Sequence, residues 1–519
     1  FYRENKAVND SLIVTVPDSV LSSERVIVVS NISDSANIIL YKVKPLLKRI
    51  TAFNFSSGTL TFTDTVSGGD KYLVIKDEYK IIPHFVVKKS FENLRNNSRI
   101  ADYIILSNRE FEESTDQYKN FIESNYQLNT ELIFINDIYD EFSFGLDNAK
   151  AIRDFLFTAN QYWQFPKPSY LNIIGDANYD YKNIVIPPTN IIKENLVSAY
   201  GNPVSDTWFV SWDSANVNIP QMFVGRIPAT NNNEVLFYLE KHQTYINRGY
   251  DNWNKNYLFF SGGDINNTTQ LAQIKNANDN VLSQLVTPKP IGGSGIHFYK
   301  TINPTTNYGP YTLSQVNEAI DNGGLFISYI GHSGTQTWDN GIRSTEDLKN
   351  SFPDRNPLVT DFGCSTGKFA EPDINAFGEL FILDDPNGQA INYLGNTSWG
   401  YLSTSLRFPH LFYSQLLIDS AAPVGEAHFI AKLNQFNESG FTDVNRVFNF
   451  CNMLFGDPLI AFKTPLKPNF NIKESSFKLV GQNPNDMTDS AIVRIEIVNS
   501  GRVENDSVSI SITSRWFNQ

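Results

Sequence analysis

Three short apolar runs each end in a glycine-rich loop that carries polar side chains. They are LFISYI before Gly331-His332-Ser333-Gly334, LVTDF before Gly363-Cys364-Ser365-Thr366-Gly367, and AINYL before Gly395 and the NTSWG segment that follows. Unbroken apolar runs of this length suit strands buried on both faces. DYIILS (102–107), SYLNIIGDAN (169–178) and NYLFFSGG (256–263) repeat the pattern upstream. The stretches between them read as helices: FEESTDQYKNFIESNY, NAKAIRDFLFTANQYW, NNEVLFYLEKHQTYINRGY, then Thr269 to Leu285 and Leu313 to Asp321. Strands alternating with helices predict an α/β fold on a largely parallel sheet, where sites gather at the carboxyl ends of strands. ELIFINDIYDEF, QMFVGRIP and IHFYKT read as further strands. Helices are expected over roughly Phe408 to Leu433 and near Val447 to Leu454, before GDPLIAF.

The flanks differ. From Ser11 to about Lys88, SLIVTVP, ERVIVVS, NIILYKV, TLTFTD and YLVIKD alternate with Ser/Asp/Gly/Asn turns, which predicts a small all-β domain. After Thr464, SFKLVGQ, SAIVRIEIVNSG and DSVSISITS suggest the first strands of an immunoglobulin-like sandwich, cut short of seven. The expected organisation is a β-rich domain (1–97), a first α/β subdomain (98–240), a second α/β subdomain (241–465) and a partial immunoglobulin-like domain (466–519). The start, FYRENKAVND, has no charged and apolar leader, so a mature or excised chain is expected.

Composition narrows the function. The net charge of −13 and the absence of a basic run argue against a nucleic-acid partner. Only Cys364 and Cys451 are present, so no disulfide framework holds the fold. No run of eighteen apolar residues occurs.

One crossover and one strand separate His332 from Cys364. If their strands are parallel neighbours, both side chains reach one edge of the sheet. A thiolate is a strong nucleophile, and an adjacent imidazole can take its proton or protonate the departing amine. The amides of Gly363 and Cys364 are candidates for an oxyanion hole. A lone cysteine or histidine is more often a packing residue; the flanking glycines and strand-end placement weigh against that here. Trp338 and Trp399, on loops beyond strands, are candidate walls of a substrate cleft. Asp176, after Gly175, reads as a structural or accessory acid. Asp176, Asp180, Asp206 and Asp213 offer oxygen for a structural calcium, but no ligand spacing names a metal site and no cofactor is required.

The segments YIGHSGTQTW and DFGCSTGKF resemble the histidine and cysteine signatures of the gingipain-like (C25-type) cysteine peptidases, a caspase-related group. IYDEFSFGLDNAKAIRDFL, YLNIIGDANYD, VSDTWFVSWD, VGRIPATNNNE, INYLGNTSWGY and FGDPLI resemble further landmarks in the same order. The resemblance runs from about Asp102 to Lys463 and is especially marked to the sortases of the type IX secretion system. It implies a caspase-like fold, His332 as catalytic histidine and Cys364 as nucleophile. It implies removal of a C-terminal signal domain from exported proteins, alongside outer-membrane secretion components and with cargo passed to anionic lipopolysaccharide. It also implies a place at the cell surface or outer-membrane exterior of a Bacteroidota-type bacterium. The alternatives are a secreted degradative protease and a noncatalytic surface scaffold. Two departures stand out: Ser333 follows the histidine where the family often has glycine, and the carboxylate that assists the histidine has no match, with Asp264 displaced.

Overall fold

The computed structural model describes residues 5–80, 88–190, 192–212, 218–303, 307–384, 387–418, 423–480, 492–504 and 509–511. Residues 1–90 and 91–519 form two compact units. In the first, β1 (Leu12–Thr15), β2 (Ser23–Ser30), β3 (Ile38–Lys44), β4 (Lys48–Ile50), β5 (Asn54–Ser56), β6 (Thr59–Val66) and β7 (Lys71–Lys76) build two antiparallel sheets, ordered β1-β7-β3-β4 and β2-β6-β5. Alternate residues such as Ile27 and Val29, Leu60 and Phe62, Tyr72 and Val74 share one core.

The second unit holds a ten-stranded sheet. Its strands are β8 (Tyr103–Ser107), β9 (Thr130–Phe134), β10 (Tyr170–Ile174), β11 (Phe223–Ile227), β12 (Asn256–Ser261), β13 (Ser294–Tyr299) and β14 (Phe326–Ile330). After the small hairpin β15 (Ser333–Gly334) and β16 (Thr337–Trp338) come β17 (Leu358–Asp361), β18 (Asn392–Asn396) and β19 (Asn452–Phe455). The order is β13-β12-β14-β17-β18-β19-β11-β10-β8-β9. Only the β18–β19 pairing is antiparallel. That strand joins two parallel halves, so the segments expected as side-by-side subdomains share one sheet.

Helices cover both faces. They are α1 (Glu112–Tyr126), α2 (Ile135–Ser143), α3 (Ala149–Tyr162), α4 (Asn232–Asn247), α5 (Thr268–Val281), α6 (Leu313–Asn322), α7 (Phe377–Leu383), α8 (Leu402–Leu417), α9 (Val424–Ser439) and α10 (Asp443–Cys451). Leu258, Phe260, Ile327 and Tyr329 pack with Tyr118, Tyr238, Val316 and Phe377 on one face. Their strand neighbours Tyr257, Phe259, Phe326 and Leu358 pack with α5, α8 and α9 on the other. The result is the predicted α/β architecture in three layers.

Two expectations fail locally. ELIFINDIYDEF is a strand only to Phe134 and a helix from Ile135. The helix expected to reach Leu454 stops at Cys451, and Asn452–Phe455 pairs into the sheet. Its buried residues fill the junction between the halves, and that long-range pairing outweighs local helical preference. At the other end, β20 (Phe470–Ile472) pairs with β23 (Ile497–Asn499), and β21 (Lys478–Val480) with β22 (Ile492–Arg494). Lys255 Nζ donates to the Gly501 carbonyl at 2.9 Å, so this part belongs to the same unit. Of the strand expected over DSVSISITS only residues 509–511 are described, and these are not in a strand. Among the described residues no helix is long and apolar enough to cross a membrane.

Candidate active site

β14 and β17 are parallel neighbours in register, Tyr329 opposite Asp361. Their carboxyl ends therefore open on the same edge, and the loops that follow carry His332 and Cys364. The backbone N–H of Asp339 donates to the His332 carbonyl at 3.0 Å, closing the hairpin. The Tyr329 hydroxyl lies against that carbonyl and donates toward Asp339 Oδ1 at 2.8 Å. Trp338 is 1 % exposed and stacks on Tyr329, with ring centres 4.4 Å apart and planes 4° from parallel. It is thus a packing anchor beneath the histidine loop, not the cleft wall expected for it, because the hairpin turns its ring inward.

The cysteine loop is held as tightly. Asn396 Nδ2 donates to the Gly363 carbonyl at 2.7 Å, and the Ser365 N–H to the Ser398 carbonyl at 2.9 Å. Ser365 takes φ 66°, a left-handed conformation costing of order 1 kcal/mol that its surroundings must support. A Cβ on Gly363 would lie 2.2 Å from Ser333 Oγ, so only glycine fits there. Cys364 is half-buried, and its Sγ accepts the Gly400 N–H at 3.3 Å. Burial pushes its thiol pKa above the usual value; the Gly400 N–H partly offsets this, while the Asp361 charge adds to it. The resting sulfur is therefore a protonated thiol at neutral pH. Trp399, next to Gly400, is 75 % exposed.

His332 is exposed, and its Nε2 lies 3.3 Å from Gln270 Oε1. That oxygen also accepts the Asp264 N–H at 2.7 Å, which fixes the amide's orientation. His332 Nε2 thus faces an acceptor oxygen. The displaced Asp264 contributes only its backbone here. A neutral amide fills the place expected of a carboxylate. No hydrogen bond joins the His332 and Cys364 side chains in this resting arrangement, and such contacts commonly tighten only with substrate bound.

The expected oxyanion pair is not formed. The Gly363 N–H donates at 2.5 Å to Asp361 Oδ1, behind the loop. The Cys364 N–H donates at 2.6 Å to Ser333 Oγ. Ser333 in turn reaches the Cys364 carbonyl at 2.9 Å and Asp361 Oδ1 at 3.2 Å. Asp361 is fully buried, with the Thr366 and Trp338 side chains also beside its carboxyl. Burial pushes its carboxyl up to about 7, despite the Gly363 N–H that favours the charge.

Asp176 sits elsewhere in the fold, fully buried, with Lys193 Nζ 3.4 Å from Oδ2. Lys193 also pairs with Glu379 and donates to the Phe369 carbonyl at 2.6 Å. Asp176 therefore belongs to an ionic anchor beneath the segment that follows Cys364. Asp206 pairs with Arg226, and Asp180 accepts backbone N–H groups from Ile184, Val185 and Ile186. Asp213 lies outside the described residues. Among the described residues no cluster of His, Cys, Asp and Glu has the geometry to hold a metal.

Sequence reasoning missed Gln270, Asp361 and Gly400. Asp361 left a signal, a lone acid inside an apolar strand just before the cysteine. Gln270 left none, being one amide among several on a polar helix start.

A model of peptidase family C25 matches residues 96–463. The chain belongs to peptidase family C25. This C25 peptidase matches no curated protein. Among solved structures it is similar to the Arg-specific cysteine proteinase gingipain R (RgpB), at 18 % identity and TM-score 0.53, over 74 % of this chain and 83 % of that one. The complex of Porphyromonas gingivalis RgpB pro- and mature domains matches at 14 % identity and TM-score 0.53, over 72 % and 83 %. Dimeric latent PorU from Porphyromonas gingivalis matches at 13 % identity and TM-score 0.48, over 96 % of this chain and 43 % of that one. The fold of this C25 peptidase is thus that of the gingipain group.

Proposed function

We propose that the chain is a cysteine endopeptidase in which Cys364 is the nucleophile and His332 carries its proton. One observation supports this above the rest: His332 and Cys364 stand on consecutive loops at the carboxyl edge of paired parallel strands. Because the resting sulfur is protonated, attack begins with proton transfer to His332, with Gln270 holding Nε2. Sγ then bonds to the scissile carbonyl carbon, and the carbonyl electron pair moves to oxygen. The Cys364 N–H is the amide that can receive this oxyanion, since the Gly363 N–H is sealed against Asp361. Collapse re-forms the carbonyl and breaks the C–N bond, as His332 returns the proton to the leaving amine. Water or an incoming amine then resolves the thioester.

The substrate class we propose is an exported protein bearing a C-terminal signal domain, cut at that domain's boundary at the bacterial surface and passed to water or to the amine of a surface lipopolysaccharide. The motif resemblance to the type IX sortases supports this reading. Two incubations test it. Cargo with its signal domain should be cut once near the boundary, casein hardly at all, and Cys364→Ala should abolish the cut. Broad fragmentation of casein would instead mark a degradative protease, and a wild type that neither cuts nor labels with a thiol probe would mark a scaffold.

A further inference from the structure

We propose that Ser333 closes the oxyanion site of the resting enzyme, its hydroxyl oxygen standing where a substrate's developing oxyanion must stand to receive the Cys364 N–H. This inference rests on Cys364 being the nucleophile. An adduct on Cys364 Sγ brings its oxygen within reach of the same residue's amide, whereas the Gly363 N–H is turned onto Asp361. In the resting structure that N–H is already spent on Ser333 Oγ at 2.6 Å, a separation that leaves no room for a second acceptor.

The hydroxyl is built in, not a free surface rotor. Its own hydrogen faces two acceptors, the Cys364 carbonyl at 2.9 Å and Asp361 Oδ1 at 3.2 Å. Its oxygen also lies against Gly363, where a Cβ would come within 2.2 Å of it. Residue 333 adjoins the histidine and residue 364 is the nucleophile, so this one contact ties both halves of the machinery together. It also gives the plug somewhere to go. Rotation about the Ser333 Cα–Cβ bond that carries Oγ off residue 364 and onto Asp361 keeps its hydrogen satisfied and releases the Cys364 N–H. Asp361 is thereby the positioning partner for opening, its Oδ1 already 3.2 Å from the hydroxyl.

Opening exchanges one hydrogen bond, so removing the hydroxyl should speed oxyanion-forming steps about five- to ten-fold. The test compares two reagents on the full chain. With p-nitrophenyl acetate, Sγ attacks the ester carbonyl, the thiol proton passes to His332, an oxyanion forms, and its collapse expels p-nitrophenolate. With iodoacetamide, Sγ displaces iodide at a saturated carbon and no oxyanion arises. The quantity read is the ratio of Cys364-dependent acylation to alkylation, with Cys364→Ala as the blank for both. Ser333→Ala and Ser333→Gly should each raise that ratio about five- to ten-fold. An unchanged or lowered ratio in both variants would overturn the proposal, the latter by making the hydroxyl a donor to the oxyanion. A parallel change in both rates would overturn it too, by showing that the nucleophile itself had altered. Acylation or labelling that survives in Cys364→Ala would instead sink the nucleophile assignment, a failure of a different kind.

Discussion

Asp361 shows how much one residue carries at this site. Its carboxyl ties the Gly363 amide and the Ser333 hydroxyl together beside Cys364, and burial raises its pKa from 3.8 to about 7. The folded chain thus holds a proton there that the unfolded chain has released. Stability is greatest at low pH on this account, and falls as pH rises from about 4 to 7, by at most about 4 kcal/mol. Asp176 and Asp457, both pushed up to about 6 by burial, act in the same direction. Asp361→Asn should flatten part of this slope, so its melting midpoint should gain on that of wild type as pH rises from about 4 to 7. Gln270 sets the histidine in a complementary way. Gln270→Ala should lower kcat about ten-fold with KM nearly unchanged. Geometry alone does not make a site, as a second constellation shows. Ser261 Oγ lies 2.8 Å from His297 Nε2, and His297 Nδ1 lies 2.7 Å from Asp279. That line resembles a catalytic triad, yet Ser261 is buried and takes a bond from Asn278, so it braces β12, β13 and α5 instead.

At the scale of elements, the hairpin β15–β16 is what holds the His332 loop at the end of its strand. Its grip comes from Trp338 stacking on Tyr329 and from Asp339, whose Oδ2 accepts the Gly263 N–H at 2.9 Å. Trp338→Ala should therefore cost about 3–5 kcal/mol through the cavity it leaves. It should also lower turnover by loosening His332, read as a fallen melting midpoint together with reduced kcat. Trp338→Phe should recover most of both. The strands here were legible because buried runs such as FISYI and LVTD have no other plausible environment. Their partners were less so. NMLF, at β19, continues the apolar pattern of the helix before it, and only its pairing with β18 and β11 makes it a strand.

Across the whole second unit, Arg226 links one half of the sheet to the other. Its guanidinium pairs with Asp206 at 2.6 Å and donates to the Gly175 carbonyl at 2.6 Å, with all of these groups buried. It also lies over the ring of Phe369, five residues beyond Cys364. Removing it would strand the Asp206 charge in the core. Arg226→Ala should thus destabilise the unit by about 3–5 kcal/mol. Because one sheet runs through both halves, Trp fluorescence and far-UV dichroism should report a single coincident transition for residues 91–519 in wild type. Two separated transitions would show that the halves behave as independent domains.

Taken alone, the sequence determined the alternation of buried strands with helices, the all-β start, and the placement of a histidine and a cysteine on successive strand-end loops. Those features depend on local apolar pattern and chain order, which a linear text records. Tertiary structure alone decided that β19 joins two halves into one sheet and that Trp338 faces inward while Trp399 faces out. It also decided that Gln270 serves His332 and that Ser333 and Asp361 claim the amides expected for the oxyanion. Each of these depends on which groups distant in the chain come within about 3 Å of each other, and hydrogen-bond partnership at that range is set by packing.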